Sequence, residues 1–170
     1  MTQEEILPIV NETGVTTGAA PRSVLHSNPS LLHPVVHCLV TNRSGALLMQ
    51  LRGRNKDVQP GRWDTSVGGH VCFGELVEAA VVREIGEELG IAVQSGQLEY
   101  LYRYVMRSAI ESELVYTYRM VHEGPFRREP LEIDDLRFWS RQEIRDVLGA
   151  GVLTPNFEDE FRRYCQVFAD

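Results

Sequence analysis

The sequence has few cysteines, no long apolar run and no excess of positive charge. Its three cysteines, Cys38, Cys72 and Cys165, lack CxxC spacing, so we expect free thiols in a reducing compartment and no disulfide framework. No apolar stretch approaches the ~20 residues needed to span a bilayer. The acidic amino terminus also lacks the basic and apolar regions of a signal peptide. These absences favour a cytoplasmic protein with no membrane partner.

The net charge of the 170-residue chain is -7 at pH 7, which argues against the basic footprint of a general nucleic-acid-binding protein. An acidic protein can still bind phosphates if metal ions supply the positive charge. The composition, 43% hydrophobic and 24% charged, is typical of a globular domain. No repeat or linker divides the chain, so we predict a single domain over residues 1–170, with an amino-terminal hairpin and extension over residues 1–30.

Hydrophobic and turn patterns predict strands, one long helix, further strands and two carboxy-terminal helices. Strands are predicted around a turn at 11–14 and at 34–41, 46–51, 64–71, 97–107, 114–121 and 136–139. Helices are predicted at 75–89, from the Ser140 capping box to about Leu148, and from Pro155 onward. This order favours an α+β fold or a mixed-sheet α/β sandwich.

Three carboxylates lie at helical spacing near the end of the long predicted helix. Glu84, Glu87 and Glu88 occur at i, i+3 and i+4, so they share one helical face. Repulsion at these spacings costs only ~0.2–0.5 kcal/mol per pair, so a solvated acidic face would also be tolerated. The apolar helix body, the neighbouring Arg83 and the preceding glycine pair favour a site for Mg²⁺ or Mn²⁺, which prefer oxygen ligands.

The segment 69–91 resembles the Nudix box at every defined position of that motif. The matching residues are Gly69, Glu75, Arg83, Glu84, Ile85, Glu87, Glu88, Gly90 and Ile91. The resemblance implies the Nudix fold, in which a mixed β-sheet is sandwiched between helices (an α/β/α sandwich). It also implies that the three helical glutamates bind divalent cations, with the Gly68 carbonyl as a further ligand. In the family, the glutamate at Glu75 is more often a partner of the arginine at Arg83 than a metal ligand.

The surrounding sequence is similar to one branch of this family, type 1 isopentenyl-diphosphate isomerase and its hydrolase relatives. The similarity rests on Arg52, Lys56, Pro60-Gly61, Trp63, Ser66-Val67, Gly69-His70 and Gly74-Glu75. It implies a second metal site formed by His26, His33, His70, Glu111 and Glu113. Each of these five residues taken singly is weak evidence, since a lone histidine is usually structural. His37 and His122 have no counterpart in the isomerase and are interpreted as structural.

The catalytic cysteine of the isomerase aligns with Gly68, which has no side chain to donate a proton. Cys72 lies four residues further along the chain and is not expected to reach the same place. The isomerase also has a degenerate Nudix box, whereas the box of this chain is complete. These two differences favour hydrolysis over isomerisation.

We therefore predict a Mg²⁺- or Mn²⁺-dependent hydrolase that acts on an acid anhydride. The expected substrate is a small molecule, a nucleoside diphosphate linked to another group or a related organic diphosphate. The alternatives are an isopentenyl-diphosphate isomerase-like enzyme and a non-catalytic nucleotide-binding Nudix module. The sequence leaves open the substrate and the oligomeric state, although dimers are common among the relatives.

The residue roles follow from the same resemblance. The predicted catalytic residues are Glu84, Glu87 and Arg83. Arg52 and Lys56 are predicted to bind phosphate, with surface charges beside a turn as the alternative interpretation. The general base is left open between Glu84 and an acid of the Glu111-x-Glu113 pair.

Overall fold

The computed structural model describes residues 4–169. Nine strands and four helices follow one another within these residues. They are β1 (Ile6–Val10), β2 (Thr16–Pro21), α1 (Arg22–Leu25), β3 (Leu32–Thr41), β4 (Leu47–Arg52), β5 (Trp63–Asp64), β6 (Val67–His70), α2 (Val77–Leu89), β7 (Glu99–Arg107), β8 (Ser112–Val121), β9 (Ile133–Trp139), α3 (Arg141–Asp146) and α4 (Pro155–Val167). A short 3-10 turn, Ser95–Gln97, precedes β7.

The strands form a small hairpin and one mixed sheet. β1 and β2 pair antiparallel around the turn at 11–14 and form a separate two-stranded sheet, which packs against β3 through Val10 and Leu32. In the large sheet β3 pairs in parallel with β8 along its whole length, and it pairs antiparallel with β6. β4 pairs with β5 and β9, and β7 pairs with β8, all antiparallel. β3 therefore lies between strands from both halves of the chain.

Helices cover both faces of the large sheet, which confirms the predicted sandwich. Side chains alternate between the two faces of a strand. Val36 and Cys38 of β3 accordingly pack with Ile85 of α2. Leu39 faces the other way and packs with Phe157 of α4. Each face thus has its own apolar core, and the edge of the sheet between them is left for the site.

The helices begin and end close to the predicted positions. α2 starts at Val77, two residues later than predicted, because Glu75 belongs to the turn before the helix and pairs with Arg83. The helix ends at Gly90, whose φ of 65° is the left-handed conformation that glycine adopts most easily. The predicted capping box at Ser140 is present, but α3 ends at Asp146.

Two features of the remaining helices bear on the prediction. The aromatic face of α4 is core, as expected, since Phe157, Phe161 and Tyr164 are buried. α1 was not predicted, because its four residues are too few to show helical periodicity. None of the helices in residues 4–169 is long and apolar enough to cross a membrane.

Candidate metal centre

A cavity of about 870 Å³ opens beside β6, whose residues Gly68, Gly69 and His70 line it. Its walls come from the loop after β4, from β6 and α2, and from the loop between β7 and β8. Every predicted site residue except His33 lines this cavity. His33 is fully buried behind the wall. The fold therefore brings both predicted clusters to one opening.

Arg83 joins the carboxylates of segment 69–91 into one network. Its Nε and Nη2 donate to the two oxygens of Glu75 at 2.9 and 3.0 Å. Its Nη1 donates to Glu84 at 2.7 Å and to Glu87 at 3.2 Å. Nη2 also reaches the carbonyl oxygen of His70 at 2.9 Å. An arginine fork of this kind fixes the direction of each carboxylate it holds.

The glycines of β6 let two α2 carboxylates approach the strand closely. A Cβ on Gly69 would overlap the carboxyl group of Glu84, so any larger residue would displace that group. Glu88 accepts a hydrogen bond from Gln50 Nε2 at 3.0 Å and one from the Gly68 amide at 3.3 Å. Glu84 and Glu88 are thereby held against the strand, whereas the Glu87 side chain is 60% exposed at the cavity mouth.

Burial disfavours the charged forms of the two inner carboxylates. Glu84 and Glu88 are only 9% and 6% exposed. Desolvation raises the pKa of Glu84 despite the nearby Arg83 guanidinium. Desolvation and the charge of Glu84 raise the pKa of Glu88 to about 8. A solvated acidic face does not show these shifts, and a bound cation would relieve both. The donor set, all oxygen, fits Mg²⁺ or Mn²⁺.

The two candidate phosphate ligands lie on the cavity wall in ion pairs. The Arg52 guanidinium contacts Asp64 at 3.1 Å and also donates to the carbonyl of Val58. Lys56 contacts Glu132 at 3.0 Å. Both side chains are about one quarter exposed, so each remains accessible from the cavity.

The second predicted cluster assembles from segments that are distant in the chain. The Nε2 atoms of His26 and His70 lie 3.0 Å apart, and His26 Nε2 lies 3.3 Å from a Glu111 oxygen. One ligand atom from each of His26, His33 and His70 falls within 4.8 Å of the others. The same holds for His33, Glu111 and Glu113. The Nδ1 atom of His70 lies 3.4 Å from a carboxylate oxygen of Glu5. The sequence did not predict this contact.

Two histidines of this cluster have the neutral form in which imidazole binds a metal. Burial lowers the pKa of His26 to about 4 and that of His33 to about 3, which leaves both imidazoles neutral at pH 7. Burial raises the pKa of Glu113 to about 7. Neither nitrogen of the buried His33 has a hydrogen-bond partner among the described residues. A buried polar group without a partner is costly, and a divalent ion would supply one.

His37 lines the cavity beside Gly68, although the sequence indicated only a structural role. Its Nδ1 lies 2.8 Å from a carboxylate oxygen of the buried Glu160 in α4. Cys72 does not line this cavity and contacts Glu5 and Arg83 instead. The prediction that Cys72 does not replace the isomerase cysteine agrees with this placement.

The chain is similar to known proteins along most of its length. It is 29% identical over 145 residues to an isopentenyl-diphosphate delta-isomerase of Streptomyces avermitilis, covering 83% of this chain and 74% of that protein. It is 28% identical to an uncharacterized Nudix hydrolase of Listeria monocytogenes, over 88% of each chain. The fold matches the crystal structure of a Deinococcus radiodurans protein with a TM-score of 0.81 at 24% identity, covering 94% and 98% of the two chains.

A model of the NUDIX domain matches residues 31–157, three quarters of the chain. That match includes the arginine-linked carboxylates, both glycines of β6 and most of the histidine-containing cluster. On this match, the chain belongs to the Nudix family.

Proposed function

We propose that the protein is a divalent-metal-dependent hydrolase that cleaves a diphosphate bond in a small organic diphosphate. The observation that carries this proposal is the pair of buried carboxylates, Glu84 and Glu88, held against the two glycines of β6 at the floor of a large cavity. Burying two neighbouring carboxylates is unfavourable unless a cation balances their negative charge.

Glu84, Glu87 and Glu88 would hold the metal, with the Gly68 carbonyl as a further ligand. When bound, Mg²⁺ would supply charge neutralisation for the diphosphate and lower the pKa of an attacking water. Arg83 positions Glu84 and Glu87 through its hydrogen bonds at 2.7 and 3.2 Å. It contributes to catalysis by this positioning, because its donors already point at protein acceptors.

Arg52 and Lys56, which also line the cavity, would bind phosphate oxygens of the substrate. Each would exchange its present carboxylate partner, Asp64 or Glu132, for the substrate. The group attached to the diphosphate would extend toward the loops at 53–62 and 108–111. Two candidates remain for the general base, Glu84 and an acid of the Glu111-x-Glu113 pair, all of which line the cavity.

The decisive experiment is a screen, with Mg²⁺ or Mn²⁺, for release of the phosphomonoesters that form when the diphosphate bond is cleaved, separated by chromatography. The panel contains nucleotide sugars, dinucleotides, oxidised nucleotides and prenyl diphosphates. Glu87→Gln and Glu88→Gln should each abolish release, since each removes a metal ligand. Glu78→Gln is the matched control, because Glu78 is an exposed residue of the same helix away from the cavity. Unchanged release in both variants would contradict the assignment of Glu87 and Glu88 as metal ligands.

A second candidate function, isomerisation of isopentenyl diphosphate, is supported by the predicted second metal cluster of His26, His33, His70, Glu111 and Glu113. The five residues that the resemblance assigned to the metal of the isomerase do converge here. The isomerase reaction also needs an acid at position 68, and glycine provides none. Incubation with isopentenyl diphosphate, followed by a search for the allylic product, separates the two activities. Ligand binding with no turnover in either assay would instead indicate a non-catalytic module.

A further inference from the structure

A carboxylate on the cavity wall retains an unused acceptor position. Asp64 of β5 lines the cavity, and its side chain is 18% exposed. Its Oδ1 accepts hydrogen bonds from the Thr65 amide at 2.8 Å and from Thr154 Oγ1 at 2.9 Å. Its Oδ2 accepts one from Arg52 Nη1 at 3.1 Å. A carboxylate has about four lone-pair positions, so one position on Oδ2 is without a donor among the described residues.

The start of α4 fixes the position of Asp64. Thr154 is the N-cap of that helix, and its Oγ1 accepts a hydrogen bond from the Phe157 amide at 3.1 Å while it donates to Asp64. The backbones of the two segments are also joined, since the Thr154 amide donates to the Trp63 carbonyl at 2.9 Å. Asp64 therefore keeps its place in the wall whether or not Arg52 is paired with it.

An asparagine in the first turn of α4 supplies a second polar group. Asn156 lines the same cavity and is partly buried. Asparagine near a helix start often caps the first amides, but Thr154 already has this role. The Asn156 side chain makes no hydrogen bond to another described residue. Its amide is therefore available to a ligand, both as a donor and as an acceptor.

A hydroxyl group matches both side chains. The carboxylate of Asp64 only accepts hydrogen bonds, so its ligand must donate. The amide nitrogen of Asn156 only donates, so its ligand must accept. A hydroxyl does both with one oxygen atom, whereas a phosphate oxygen would be repelled by Asp64 and an apolar chain would serve neither residue. The two side chains therefore favour a hydroxylated group.

The position of Asp64 beside Arg52 limits where such a hydroxyl can lie in the ligand. Arg52 is a proposed phosphate ligand, and its Nε donates to the carbonyl of Val58 in the loop at 53–62. A phosphate oxygen bound to Arg52 would lie within about two hydrogen-bond lengths of Asp64. The matching hydroxyl therefore belongs to the group directly attached to the diphosphate. When Arg52 turns to the phosphate, Asp64 gains a further free acceptor position.

We propose that Asp64 and Asn156 form a subsite that binds a hydroxyl of a sugar attached to the diphosphate. This rests on the proposed function in one respect, that the ligand is a diphosphate bound through Arg52. A prenyl chain at this subsite would cover the carboxylate and the amide without giving either a partner, which is unfavourable. The two residues thus select hydroxylated substituents over apolar ones.

Three probes that cannot be hydrolysed at their phosphorus–carbon bridge separate the hydroxyl from the diphosphate. Methylenediphosphonate carries the two phosphorus groups alone. Adenosine 5′-(α,β-methylene)diphosphate adds a ribose with two free hydroxyls, and its 2′,3′-dideoxy analogue lacks both. Kd is measured by calorimetry with Mg²⁺. The readout is the Kd of the dideoxy probe divided by that of the hydroxylated probe, because this ratio cancels changes in binding of the diphosphate itself.

The wild type should bind the hydroxylated probe about tenfold more tightly than the dideoxy probe, since hydrogen bonds to a carboxylate are lost in the latter. Asp64→Asn and Asn156→Ala should each lower this ratio to about threefold or less. Asn156→Ala should also keep the thermal unfolding temperature, because its side chain holds no described partner. Asn55→Ala is the control and should keep the tenfold ratio, since Asn55 is exposed and does not line the cavity.

The contrary outcomes are distinct. A ratio near one in the wild type would overturn the subsite, while binding of methylenediphosphonate would still support the diphosphate site. A ratio that stays tenfold in both variants would show that the hydroxyls are bound elsewhere and would overturn the assignment to Asp64 and Asn156. If the wild type does not bind methylenediphosphonate, the proposed function is contradicted together with the subsite.

Discussion

The carboxyl group of Glu84 occupies the space that a side chain at position 69 would fill. The contact links the strand that carries the glycine pair to the helix that carries the glutamates proposed to bind the metal. It gives a physical reason for glycine at this position that does not depend on backbone conformation. The same contact turns Glu84 toward the cavity floor, where Arg83 holds it.

Gly69→Ala should displace the Glu84 carboxylate and weaken Mg²⁺ binding by about tenfold or more, because an oxygen ligand moves out of position. The loss of stability should be small, since the displaced group is the end of a flexible side chain. Calorimetric titration with Mg²⁺ checks the affinity. Gly86→Ala is the control, because a Cβ at that helical position meets only an ordinary contact at 3.7 Å. Equal Mg²⁺ affinity in both variants would contradict the steric explanation.

Arg83→Lys should lower kcat by about tenfold and change KM little. A lysine ammonium cannot hold Glu75, Glu84 and Glu87 at once, so the carboxylates lose their common orientation. Steady-state kinetics on the best substrate of the screen provides the measurement. Arg103→Lys, on an exposed strand position, should leave both constants unchanged. A large rise in KM alone would instead indicate that Arg83 contacts the substrate.

Compared with Glu88→Gln, the metal-free wild-type protein should lose stability as the pH rises from about 5 to 8. The folded-state pKa of Glu88 is raised from 4.5 to about 8, so the folded protein binds this proton more tightly than the unfolded chain. The stabilisation is complete below pH 4.5 and disappears as the pH passes through 8, at about 1.4 kcal/mol per pH unit. Denaturant unfolding in EDTA at several pH values measures the slope. Glu88→Gln should make it shallower, and Glu78→Gln should not.

His33→Leu should show whether His33 stabilises the protein by itself or only when a metal is bound at the second cluster. In EDTA the variant should be as stable as the wild type or about 1 kcal/mol more stable, because a buried imidazole without partners is replaced by an apolar group. With Mn²⁺ or Zn²⁺ the wild type should gain thermal stability and the variant should gain less. A large destabilisation of the variant in EDTA would show that His33 is held by the fold alone.

The local sequence was sufficient to predict most of the fold and the face of α2 that carries the carboxylates. The periodicity of α2 and the capping box at Ser140 are short-range signals, and both appear in the structure. The helical face shared by Glu84 and Glu88 also follows from spacing alone. Their burial does not, because it depends on how closely β6 approaches the helix. That distance is set by Gly69, whose steric role is visible only in three dimensions.

The pairing of His37 with Glu160 could not be predicted from the sequence pattern. The two residues are far apart in the chain, and their contact depends on α4 packing across β3. One signal was nevertheless present. Glu160 lies on the same helical face as Phe157, Phe161 and Tyr164, and a carboxylate within an apolar face needs a buried partner. A search for that partner would have led to a histidine or tyrosine on the sheet.

The central position of β3 determines which parts of the site can move. This strand is paired on both sides, packs into both apolar cores and carries His33 and His37. Its amides should therefore exchange with solvent only through near-global opening, which keeps the cavity floor fixed on the timescale of turnover. The walls at 53–62 and 108–111 are loops, so ligand entry and release should depend on their local fluctuations. In a hydrogen exchange experiment, the amides of β3 should therefore exchange slowly and those of the loops at 53–62 and 108–111 should exchange rapidly.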